Sequence, residues 1–236
     1  TSAGRLVLAH VVELPKVSAD GPLSVTGGVK AEELLGMTEN TDPIRGERVI
    51  AAIDMPSTDD GGQLVPLALG TRNGVVKRWN RESPTTMDSW SVIDLKDDDE
   101  VLAAAEARDE DRLVFVSTDS SLLTFEAKNV RPQGRTAGGM AGIRLAEGCS
   151  VAAVVPDGKV TWNYEEGENG LFSASGAVVL TVAGDSEALP GTENGAAKVT
   201  PLEMYPTKGR GTGGVRSQRF LKGQDTLILA FVGAYP

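Results

Sequence analysis

Apolar residues in this chain fall in short runs separated by polar, glycine-bearing breaks. The runs Leu113–Val116 and Leu122–Phe125 flank the polar break Ser117–Ser121, a spacing that predicts a β-hairpin. The same half-unit returns as Leu64–Leu69 and Val75–Trp79 around Arg72-Asn73-Gly74, and as Leu6–Val12 after Ser2-Ala3-Gly4. Asn-Gly supplies the positive-φ positions of a tight turn. Two further runs, Gly142–Leu145 and Val151–Val155, flank Ala146-Glu147-Gly148, and Val215–Leu221 and Thr226–Val232 flank Lys222-Gly223-Gln224. Val49–Ile53 reads as a late strand of the first segment and Lys30–Met37 as a short helical turn. Leu171–Ala183 reads as strand before an exposed loop, Asp185–Gly195.

Between the best-defined hairpin and its later runs lies Gly134-Arg135-Thr136-Ala137-Gly138-Gly139, and Gly-Arg-x-x-Gly-Gly recurs at Gly209–Gly214. The turn-entering leucines Leu95, Leu145 and Leu221 stand 50 and 76 residues apart, the longer interval being ascribed to an insertion in 157–194. A repeat of roughly 45–50 residues with four strands per copy is the mark of a propeller-like array. The expectation is an all-β, propeller-like single domain of about four blades, 1–60, 61–110, 111–158 and 159–236. The chain opens in what reads as the middle of a hairpin turn, so an upstream strand and a longer parent protein are also expected.

Three motifs, Thr71-Arg72-Asn73-Gly74-Val75-Val76-Lys77-Arg78, Val130–Ile143 (VRPQGRTAGGMAGI) and Tyr205–Val215 (YPTKGRGTGGV), follow one another in an order that resembles a known family. It is the C-terminal domain of the A subunit of bacterial type IIA DNA topoisomerases, gyrase and topoisomerase IV. The resemblance implies a β-pinwheel whose blades exchange strands and whose basic rim bends double-stranded DNA without reading its sequence. It further implies a bacterial, cytoplasmic, chromosome-associated enzyme. The A-subunit dimer and the B subunit would be partners through the upstream core, with ATP and Mg bound elsewhere and the cleaving tyrosine upstream. Tyr164, Tyr205 and Tyr235 lack the neighbouring arginine of that tyrosine, so no catalytic residue is expected here. The basic box Gln-Arg-Arg-Gly-Gly-x-Gly of gyrase A subunits is absent from these residues; Ser217-Gln218-Arg219-Phe220 shares only Gln-Arg. That departure favours a topoisomerase IV-like, relaxing and decatenating enzyme over a gyrase.

Charge tests the resemblance. The chain carries a net charge of −10, whereas duplex binding depends on neutralising phosphates. The distribution is uneven: 1–60 holds 5 basic and 10 acidic residues, 61–110 holds 6 and 10, and 157–200 holds 2 and 7. Segments 111–156, with 5 and 4, and 201–236, with 5 and 2, are the ones that are not net acidic, and they carry the Gly-Arg loops. A local patch can attract an anion although the molecule as a whole repels it.

The DNA-binding candidates are therefore Arg135 and Arg210, supported by Lys128, Arg131, Arg144, Lys208, Arg216, Arg219 and Lys222. Arg72, Lys77, Arg78 and Arg81 on the second hairpin come behind them. Glycines let the main chain approach a phosphate, and a guanidinium forks onto two of its oxygens. The alternative is that these loops only turn tightly between blades, with Arg135 and Arg210 bonded to neighbouring blades. Asp97-Asp98-Asp99-Glu100 lacks the spacing of a calcium loop and reads as a solvated turn, so no metal site is expected. Cys149, the single cysteine, fits a reducing compartment and is expected to be a buried, inert thiol. Phosphate-loop, zinc-protease and serine-elbow motifs are absent. The rivals to DNA binding are a propeller that binds protein through its acidic faces and a sugar-cleaving propeller enzyme.

Overall fold

A computed structural model describes residues 1–10, 12, 14, 28–37, 46–54, 62, 64–82, 84, 86–96, 98–157, 163–166, 172–175, 177–189 and 195–234. Among these the structure is almost entirely β. The exceptions are one short helix, α1 (Ala31–Leu34), and brief 3₁₀ turns at Ala127–Asn129 and Leu202–Met204.

The apolar runs form hairpins because both their faces are covered. In the third sheet β6 (Arg112–Ser117) pairs with β7 (Ser121–Glu126), flanked by β10 (Val151–Asp157) and β15 (Val215–Arg216) in the order β10-β6-β7-β15. Leu113, Phe115, Leu123 and Phe125 point to one side, and Val114, Val116 and Leu122 to the other; both rows are buried. The first row packs on Ala68, Val76 and Ile143, with the Phe115 and Phe125 rings stacked 5.9 Å apart. The second packs on Val179, Leu202, Leu227 and Val232. Burying one such side chain contributes about 1.5–3 kcal/mol, so a sheet clad on two faces gains twice along each strand.

The second sheet is built alike from β2 (Leu67–Thr71), β3 (Val75–Trp79) and β5 (Val101–Glu106). The short strands β8 (Pro132–Gln133) and β9 (Met140–Ala141) add to the outer side of β3. The last sheet holds β13 (Ala177–Gly184), β14 (Ala196–Pro201) and β16 (Thr226–Ala234). The first holds β1 (Arg5–Val7) and β4 (Ser89–Ser91). Trp79 and Trp90, 6.4 Å apart and edge to face, join the first two sheets.

The outer strands of the first three copies are completed by the next copy: β4 on β1, β9 on β3 and β15 on β7. The hairpin turns bind this exchange. Gly4, Gly74 and Ser120 all have positive φ, at 70°, 81° and 70°, and their carbonyls accept from Val92, Gly142 and Ser217 N–H at 2.9, 2.8 and 2.7 Å. Ser120 tolerates that backbone while its Oγ accepts from Gln218 N–H at 2.7 Å and donates to Gln218 O at 2.6 Å. At the other edge Val101, Val151 and Leu227 N–H donate to Ser2, Arg72 and Thr118 O of the preceding turn, at 2.8, 2.9 and 2.8 Å.

Several predicted strands differ. Gly142–Leu145 is not a strand; pairing falls on Met140–Ala141, because Gly142 is wedged where a Cβ would lie 2.8 Å from Gly74 O and 2.9 Å from the Phe115 ring. Val215–Leu221 contributes only Val215–Arg216, and the strand from Leu6 ends at Val7. Val49–Ile53 joins no ladder. Leu171–Ala183 contains two strands: β12 (Phe172–Ser175), which pairs with β11 (Asn163–Glu166), and β13 of the repeat itself. The inserted hairpin is thus β11–β12. Cys149 is half-exposed in the turn before β10 rather than buried. Trp162 and Tyr235 lie outside the described residues.

Candidate nucleic-acid interface

The two Gly-Arg loops sit in succession along the outer strand edges. Asp94 N–H donates to Ala137 O of the first loop at 3.2 Å. The segment leaving that loop carries the second: Gly211 N–H donates to Gly142 O at 2.6 Å, and Arg144 N–H donates to Thr212 O at 3.0 Å. The Gly-Gly pair is demanded by strand exchange. Gly139 has φ 83°, and a Cβ there would lie 2.8 Å from Val75 Cγ1 and Val76 O; Gly214 has φ 72°, with Leu122 O 2.2 Å from the same position. Only glycine lets β9 and β15 approach the preceding copy this closely.

The arginines of the two loops are used differently. Arg210 is half-buried; its Nη1 donates to Ala141 O at 2.5 Å and its Nε to Asn129 O at 3.3 Å. Arg135 is exposed, and among the described residues its side chain has no hydrogen-bond or ion-pair partner. The loop beneath Arg135 is held instead by Lys77, whose Nζ donates to Arg135 O at 3.0 Å and Ala137 O at 2.7 Å. Burial pushes the Lys77 ammonium down to about 8, against the opposing pull of the Asp94 carboxylate.

Around the second loop lie exposed Arg144, Lys208 and Arg216, with Lys208 Nζ donating to Gly214 O at 3.2 Å. Arg131, Arg219 and Lys222 are exposed too. Lys128 is exposed but paired with Glu126 at 2.7 Å. Arg72 is exposed and bound to Glu100, a carboxylate that also pairs with Arg48 at 2.8 Å. The acidic turn is thus partly neutralised from within, and Asp99 Oδ1 accepts from Asn73 and Glu100 N–H at 2.9 Å. No three metal-ligating side chains converge among the described residues.

Lys77, Arg78 and Arg81 need correction: they are 0, 1 and 2 % exposed and cannot meet a phosphate in this fold. The second sheet is covered on both faces, so alternation along β3 turns no side chain to solvent. Arg78 donates to Ala107, Ala127 and Val130 O at 3.0, 3.1 and 3.2 Å and to Asp109 Oδ1 at 2.7 Å. Arg81 binds the Glu106 carboxylate and Asp54 O. On the partner strand Leu67–Leu69 is a continuous apolar run, the pattern of a strand buried on both sides, but Lys77 and Arg78 on β3 itself carry no such signal. Tyr205 is buried as well.

Comparison with known proteins agrees with this geometry. A family model described as "DNA gyrase C-terminal domain, beta-propeller" matches residues 111–156 and 191–233, which enclose both Gly-Arg loops. The DNA gyrase A protein of Staphylococcus epidermidis is 28% identical over 233 residues, covering 97% of this chain and 22% of its own length. Its Escherichia coli K12 counterpart is 25% identical over 220 residues, covering 92% and 21%. The chain therefore spans about a fifth of these relatives. Among solved structures, the C-terminal domain of DNA topoisomerase IV superposes with a TM-score of 0.70 at 19% identity, over 98% of this chain and 61% of that one. The E. coli ParC C-terminal domain superposes with a TM-score of 0.53 at 12% identity, over 79% and 73%. With its exchanged strands and paired Gly-Arg loops, the chain is thus similar, by family model, by curated relatives and by superposition, to the C-terminal domains of DNA gyrase A and of DNA topoisomerase IV.

Proposed function

We propose that this chain binds and bends duplex DNA along its outer strand edges, as a non-catalytic part of a type IIA topoisomerase A subunit. The observation that carries the reading is the stitching of the segment that leaves the first Gly-Arg loop, with its exposed Arg144, to the second loop, which exposed Lys208 and Arg216 flank. Successive cations along the strand edges would meet successive phosphates, and the summed attraction favours bending without base contacts. Negative charge elsewhere limits the affinity and makes it sensitive to salt. The whole enzyme would couple this grip to ATP-driven strand passage performed by its upstream core and B subunit, in the bacterial cytoplasm.

The absence of the Gln-Arg-Arg-Gly-Gly-x-Gly box from these residues and the net charge of −10 favour a topoisomerase IV-like role in relaxation and decatenation. A gyrase-type wrapping domain is the second reading, favoured by curated relatives that are gyrase A subunits. Two measurements test these readings. Duplex affinity across a salt series should fall steeply with log salt, and an Arg135→Ala/Arg144→Ala variant should bind more weakly with a slope smaller by about 2. No binding at low salt would overturn the reading. Relaxing a plasmid with a nicking-closing enzyme in the presence of the chain then separates bending, which leaves linking number unchanged, from wrapping, which shifts it.

A further inference from the structure

We propose that Lys77 is the positioning residue of the first Gly-Arg loop: its buried ammonium fixes the turn that presents Arg135, and through it the grip on duplex phosphate. The inference rests on the DNA-binding reading, to which it adds a residue that never touches DNA.

The geometry is specific. Lys77 lies inside β3, and its Nζ reaches two carbonyls that bracket the loop's exposed corner, Arg135 O at 3.0 Å and Ala137 O at 2.7 Å. Ala137 O also accepts from Asp94 N–H at 3.2 Å, and Ala137 N–H donates back to Gly134 O at 3.3 Å. With both carbonyls drawn inward, the Arg135 side chain is left exposed and unspent. The second loop supplies the contrast. The residue of β7 at the position of Lys77 is Leu123, which packs in the apolar core, and there Arg210 itself bonds to Ala141 and Asn129 carbonyls. One loop is held by an internal cation and keeps its arginine for a ligand. The other is fastened by its own arginine, with Lys208 Nζ on Gly214 O beside it.

The test compares wild type with Lys77→Met, which keeps the length and apolar stem, Lys77→Gln, which restores an N–H donor without charge, and Arg135→Ala. Amide exchange is read at Ala137 and Asp94, and duplex affinity across a salt series. Lys77→Met should speed exchange at both amides at least tenfold and lower the salt slope by about 1, the loss of one phosphate contact. Added to Arg135→Ala it should lower the slope no further, because the two act on one contact. Recovery of slope by Lys77→Gln would assign the effect to loop order rather than lost charge. Unchanged exchange, a slope that Lys77→Met leaves intact while Arg135→Ala lowers it, or additive losses would each overturn the proposal. If wild type binds no DNA, the DNA-binding reading falls, and the exchange data alone decide whether Lys77 orders the loop. Global unfolding of both Lys77 variants, seen by circular dichroism, would assign the ammonium to the sheet as a whole and also overturn it.

Discussion

The junction between the second and third copies and that between the third and fourth share one motif and differ in what supports it. At the first, Lys77 and Arg78 fill the strand under the loop; at the second, Leu123 and Thr124 do. Buried cations inside a sheet are costly unless carbonyls or carboxylates surround them. The first junction meets that cost with five backbone carbonyls and Asp109. The second keeps an uncharged strand, and there the loop arginine itself bonds to the Ala141 and Asn129 carbonyls. A motif read as one function thus divides into a presented arginine and a structural one.

Breaking the shared part should have the largest effect. Gly214→Ala, which places a methyl against Leu122 O at positive φ, should destabilise by roughly 3 kcal/mol or more, and Gly139→Ala by less, since its nearest neighbours stand at 2.8 Å rather than 2.2 Å. Urea unfolding of the two variants reads the difference. Equal losses would show that strand exchange is not tighter at the second junction.

Arg78→Met comes next. It strips a guanidinium from three buried carbonyls while leaving Asp109, 71 % exposed, to water, so the loss should be about 2–3 kcal/mol from the unsatisfied acceptors. The same substitution at Arg72, bound to Glu100 at the surface, should cost under about 1 kcal/mol.

Lys77 gives the first junction a pH dependence on the alkaline side. Its folded value of about 8 lies below the ordinary 10.5, so between these pH values the unfolded chain holds a proton that the folded one has released. Stability therefore rises with pH across that window. Subtracting a Lys77→Met titration from that of wild type should isolate the rise, and a flat difference would place the ammonium in better contact with solvent.

The smallest effect on stability should be the most informative. Arg210→Ala should lose about 1 kcal/mol, the net worth of its carbonyl bonds, with little change in the salt slope of DNA binding. Arg135→Ala should leave stability within about 0.5 kcal/mol and lower that slope by about 1. A reversal of the two patterns would dissolve the contrast between the loops.

The sequence by itself determined the hairpins, their turns and the repeat. Apolar runs around Asn73-Gly74 or Ser117–Ser121 have few other ways to bury themselves, and Gly-Arg-x-x-Gly-Gly marks where the chain passes from one copy to the next. It also localised positive charge to two segments. Tertiary structure decided which of those charges meet solvent. Whether a strand is covered on one face or two depends on the neighbouring sheets, so Lys77, Arg78 and Arg81, solvent-facing by local pattern, became internal fastenings. Arg135 and Arg210 occupy the same place in one motif, and only the residue across the junction, Lys77 or Leu123, set one free and tied the other down.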